Sequence, residues 1–180
     1  PDASRQLAVH KAGAVPHLVR WLVHNDQRPS GEPHVDRILR PVAAHALADL
    51  SRGNAAMQAT IAAAGAIVPL VSMLEGSAAA ADAHDAACAC LATLTAGHAA
   101  NQLEAARAGA IPLLVGLMGH SKAAVRQSAS RAIAMLSDHD ENKGLIAQVG
   151  GLTPLVSLLS TGSPATQQSA AHACASLACD

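Results

Sequence analysis

Four glycines set the rhythm of apolar and polar positions along this chain. Gly13, Gly65, Gly109 and Gly150 each precede the same pattern. Five, six, eight and nine residues later stand Leu18, Val19, Trp21 and Leu22; then Leu70, Val71, Met73 and Leu74; then Leu114, Val115, Leu117 and Met118; then Leu155, Val156, Leu158 and Leu159. That spacing places each set on one helical face. Pro16, Pro69, Pro112 and Pro154 follow their glycines by three or four residues. The glycine ends one helix because it tolerates positive φ. The proline opens the next, where its missing N–H costs nothing. The glycines are spaced by 52, 44 and 41 residues. A period in the forties predicts a helical solenoid.

A second column aligns on Leu50, Leu94, Leu136 and Leu177. Three residues earlier stand Leu47, Leu91, Ile133 and Cys174, and seven earlier Ala43, Ala87, Ala129 and Ala170. These offsets describe a buried face of a third, longer helix, with small residues where helices approach closely. Cys90 and Cys174 fall on this face and are expected to act as small hydrophobes. Asn54, Asn101 and Asn142 precede the short helices and are expected to be N-caps. The chain divides into one domain, 1–180, of four three-helix units at approximately 1–50, 51–94, 95–136 and 137–180. Unit 1 carries about ten extra residues around Asn25–His34, with Pro29, Gly31 and Pro33, which predict a loop. Pro41 is expected in the first turn of the helix that follows.

The stretches Gly109–Met118 and Glu141–Leu159 resemble armadillo repeats, and the likeness extends over all four units. The resemblance implies an all-α, right-handed superhelical solenoid of four armadillo repeats with three helices each. It implies a binding scaffold whose partner, an extended segment or a helix, lies in the groove lined by the third helices. In nuclear-import receptors of the family, that helix carries an asparagine just before the aligned leucine and a tryptophan four residues earlier. Here the first position holds Asp49, Thr93, Met135 and Ser176, and the second holds His45, Ala89, Arg131 and His172. None matches, which speaks against the clamp for basic cargo. The expected partner-binding strip is His45, Asp49, Thr93, Arg131, Met135, His172 and Ser176. Its charge is mixed, and a mixed-charge or amphipathic segment suits it. Import-type cargo binding and an accessory role in a multidomain enzyme, such as a ubiquitin ligase, are the alternatives.

Composition narrows the chemistry. Hydrophobic residues make up 51%, aromatics only 1%, and alanine carries much of the rest, which favours close-packed helices over a β-sandwich. Net charge is −1, which provides no footprint for nucleic acid. The four cysteines form no C-x-x-C, so a reducing compartment is expected: cytoplasmic, with cytoskeletal or nuclear settings as variants. No two of the ten histidines lie three or four apart, so no metal is expected. Asp138–Gly144 opens like a calcium loop but has Lys143 where glycine is wanted and Val149 where the bidentate glutamate is wanted. No nucleophile elbow or phosphate-cradling loop occurs, so neither catalysis nor a cofactor is expected. The run Ala55–Leu74 is too interrupted to span a membrane. The chain does not begin with methionine and is expected to belong to a longer array within a larger assembly.

Overall fold

The computed structural model describes residues 2–23, 33–76 and 80–179, with side chains described from residue 38 onward in the second segment. Its helices group in threes. The first unit holds α1 (Ala3–Lys11), α2 (Ala14–Leu22) and α3 (Pro33–Ser51). The second holds α4 (Ala55–Ala63), α5 (Ile67–Ser72) with a 3-10 turn at Met73–Glu75, and α6 (Ala81–Thr95). The third holds α7 (Ala99–Arg107), α8 (Ala110–Leu117) and α9 (Ala123–Leu136). The fourth holds α10 (Asp140–Gln148), α11 (Leu152–Thr161) and α12 (Pro164–Ala178). No strand occurs among the described residues.

The breaks follow the sequence pattern. Gly13, Gly65, Gly109 and Gly150 have φ of 81°, 82°, 87° and 79°, a conformation that side-chain-bearing residues rarely adopt. Each proline is the third residue of its second helix, inside the first turn, where no intrahelical N–H bond is lost. The third helices stack in order, α3 on α6, α6 on α9 and α9 on α12. Ala43, Ala87, Ala129 and Ala170 are all fully buried between them. Leu47, Leu91, Ile133, Leu94 and Leu136 fill the core beside them, and each such side chain contributes about 1.5–3 kcal/mol on burial. Cys90 is fully buried and Cys174 half-buried. Burial pushes the Cys88 and Cys90 thiols well up, so they behave as hydrophobes, not nucleophiles.

Two local expectations need correction. Asn54 does cap α4, its side chain accepting the Met57 N–H at 3.2 Å, but Asn101 and Asn142 are not the N-caps of α7 and α10. The matching N-caps are Asp2, His98 and His139, each eleven residues before the aligned glycine, and the histidines accept through Nδ1. Asn101 and Asn142 are the third residues of their helices, inside the first turn, and both are buried. Asn101 donates to the Leu94 carbonyl at 2.7 Å, and Asn142 to the Leu136 carbonyl at 3.0 Å. The last carbonyls of a helix have no intrahelical partner, and these amides supply one across the repeat boundary. Pro41 sits in the interior of α3, not its first turn. The helix starts earlier, at Pro33, whose fixed φ suits a first helical position. Of the expected loop Asn25–His34, residues 25–32 lie outside the described residues, and Pro33 and His34 open α3. In the linker after Gly76, residues 77–79 also lie outside them.

Candidate functional site

The C-terminal ends of the third helices are tied down by a column of side-chain amides that sequence reading missed. Gln6 donates to the Asp49 and Arg52 carbonyls at 3.1 and 3.2 Å. Gln58 donates to Thr93 and Ala96 at 2.7 and 3.3 Å. Gln102 donates to Met135 and Thr95 at 2.8 and 3.0 Å. In the fourth unit Lys143 takes this place and reaches the Cys179 carbonyl at 2.8 Å. All four stand seven residues before the aligned glycine, a signal present in the sequence. They fix the ends of α3, α6, α9 and α12, and so the side chains carried there.

Three of the seven expected strip residues converge. Thr93, Arg131 and Met135 line a cavity of about 450 Å³ with Arg52, Asn54, Ala55, Gln58, Ala92 and Ala96. Thr93 is only 7% exposed. Its hydroxyl donates to the Cys90 carbonyl at 2.8 Å and accepts from Ser51 at 3.1 Å, so it shapes the wall more than it offers a contact. Arg131 is half-buried, and its Nη2 donates to the Ala89 carbonyl at 3.2 Å. Burial and the nearby Arg52 charge hold its guanidinium below its ordinary ionisation range, with Asp85 opposing them. Met135 is half-buried and supplies an adaptable apolar wall.

The other four lie outside this cavity. His45 is exposed. Asp49 is exposed on the rim and pairs with Arg52 at 3.0 Å. His172 and Ser176 meet at Asp138 instead, at 2.9 and 3.2 Å. Asp138 and Arg52 each stand two residues after the aligned leucine, a column that sequence reading did not use. It gives the strip a basic position beside α6 and an acidic one beside α12. Among the described residues no group of three or more histidine, cysteine or acidic side chains could hold a metal ion. No single described helix is long and apolar enough to cross a membrane.

Residues 139–173, α10 to most of α12, match the family model for the Armadillo/beta-catenin-like repeat. Residues 82–136, α6 to α9, match the HEAT-like repeat model. The chain has the fold of an armadillo-type repeat solenoid. Solved structures agree with this. One engineered protein is 28% identical with a TM-score of 0.85, over 98% of this chain and 67% of its own. A designed armadillo repeat protein is 26% identical with a TM-score of 0.83, over 98% of this chain and 69% of its own. Another designed armadillo repeat protein, solved in complex with the peptide (KR)4, is 25% identical with a TM-score of 0.82, over 98% of this chain and 69% of its own. No curated protein sequence matches the chain.

Proposed function

We propose that this protein is a non-catalytic interaction scaffold, an adaptor that binds an extended or helical partner segment along the strip of α3, α6, α9 and α12. The carrying observation is the open cavity where Thr93, Arg131 and Met135 converge with Arg52 on that strip. It combines an apolar wall with charged groups at its edge, the mix that anchors a peptide side chain. The complex of a similar designed protein with a peptide supports the reading at the level of the fold. Import-type cargo is the weaker reading, because arginine stands at the tryptophan position and threonine at the asparagine position of this pocket. We place the protein in a larger cytoplasmic assembly, which suits its free thiols.

The test is affinity capture from a cell lysate by the parent and by an Arg131→Glu, Met135→Asp double variant with unchanged helical circular dichroism. Partners held by the parent should be lost by the variant. Identical partner sets would move the binding surface away from this strip.

A further inference from the structure

Two arginines, Arg52 and Arg131, line the cavity between α4, α6 and α9 and no acidic residue does, and the Arg52 charge acts on Arg131. Most other polar groups on its wall are already committed. Asn54 accepts from the Met57 N–H and donates to Gln6. The Gln58 amide nitrogen serves two carbonyls, and the Thr93 hydroxyl is satisfied on both sides. What stays uncommitted is N–H capacity on the arginines. Arg131 spends Nη2 on the Ala89 carbonyl and makes no ion pair among the described residues. Arg52 holds Asp49 through Nη2 on the rim, where both side chains are at least half exposed and water competes for the pair. Asp85, the carboxylate that acts on Arg131, accepts the Ser128 hydroxyl at 2.6 Å. Two like charges facing one space are unfavourable, and a carboxylate placed between them relieves the repulsion. The planar guanidinium fork matches carboxylate geometry.

We propose that this cavity anchors an acidic residue of the bound segment, an aspartate or glutamate whose carboxylate lies between Arg52 and Arg131 while its apolar neighbours rest on Met135 and Ala92. The proposal rests on the groove reading above and specifies the partner's chemistry. It also sets this chain apart from the relative solved with (KR)4. A basic segment would bring its lysines and arginines against two arginines, so the shared fold does not carry over that ligand.

The experiment is selection of random displayed peptides on the whole chain, followed by affinity measurement with synthetic peptides of the consensus. The selected peptides should share an aspartate or glutamate at a fixed place. Changing that residue to its amide, or Arg131→Gln in the protein, should each weaken binding about tenfold. The two losses should not add, because they remove the same contact. Binding should fall with added salt, and (KR)4 should not compete. Peptides that depend on Met135, by loss on Met135→Asp, yet carry no fixed acid or prefer basic residues would overturn the acidic anchor and leave the groove reading intact. No enrichment, or enrichment indifferent to both Arg131→Gln and Met135→Asp, would remove the groove reading and the anchor together.

Discussion

Ile111 and Leu152 occupy the same place in neighbouring repeats, two residues after the aligned glycine, yet Ile111 is fully buried and Leu152 is 45% exposed. The difference continues along the helix. Met118 is buried and its counterpart Leu159 is 38% exposed; Val115 is half-buried and Val156 is 59% exposed. The second helices of the first two units follow the third unit: Val15, Val19 and Leu22, and Ile67, Val71 and Leu74, are all buried. For α8 the covering neighbour is visible. A Cβ added at Gly151 would come within 3.4 Å of Val115 Cγ2, so the fourth unit packs directly on that face. The same asymmetry holds at α1, where Val9 is 42% exposed while Ile61, Ala105 and Ile146, in the same column, are buried or nearly so. In a solenoid, burial is conferred by the next unit. The apolar pattern states which surfaces can form an interface, and the neighbour decides which do.

Replacing the aligned leucines tests this most severely. Leu136→Asp would bury an unpaired carboxylate between α9 and its neighbours, where Leu136 is fully enclosed. The expected cost is more than about 4 kcal/mol, and repeats 3 and 4 should lose hydrogen-exchange protection first. Leu177→Asp changes the same column in the fourth unit, where the side chain is half-buried and water reaches the new charge. About 1–2 kcal/mol is expected there. Equal costs by chemical denaturation would mean that burial does not separate the two units energetically.

The amide column offers a milder version. Gln102→Ala would leave the Met135 and Thr95 carbonyls without their partner at the junction of repeats 2 and 3, and about 1–3 kcal/mol is expected from urea unfolding. Lys143→Ala removes the corresponding bond to the Cys179 carbonyl, which is exposed and can return to water. A loss below about 1 kcal/mol is expected.

The fold was legible in the sequence because two columns of different chemistry agreed. Positive-φ glycines and buried alanine–leucine faces are local and periodic, and repetition raised them above noise. The strip was legible only in part. Offsets from Leu136 grouped Arg131 and Met135, which line one cavity, but they could not show that Thr93 turns inward to Ser51, or that Arg52 lines the same cavity from a turn. His172 and Ser176 were grouped with the strip by offset, and the offset did not show that both bond Asp138. Asn101 and Asn142 misled because asparagine is a good N-cap in general. Their actual partners are carbonyls of a different repeat, and no local pattern announces those.

The smallest expected effect comes from the interior, where a polar side chain takes on the burial that the fourth unit's apolar side chains escape. His84, in the first turn of α6, is buried, and neither ring nitrogen makes a hydrogen bond of good geometry among the described residues. The His120 ring meets it edge-on with centroids 5.9 Å apart. His120 Nδ1 accepts the Lys122 N–H, which places the proton of a neutral His120 on Nε2. Burial, then the His120 charge, lowers the His84 pKa from its ordinary 6.5, with the Gly76 backbone opposing. The unfolded chain therefore binds a proton at a pH where the folded chain does not. His84 in its neutral form is compatible with full stability above pH 6.5, and stability is lost as pH falls through the folded-state value. Urea midpoints measured from pH 7.5 downward should decline below pH 6.5, and His84→Leu, which keeps the site filled without a titrating ring, should flatten that decline. A slope unchanged by His84→Leu would assign the acid sensitivity to other groups and leave the interior junction without this cost.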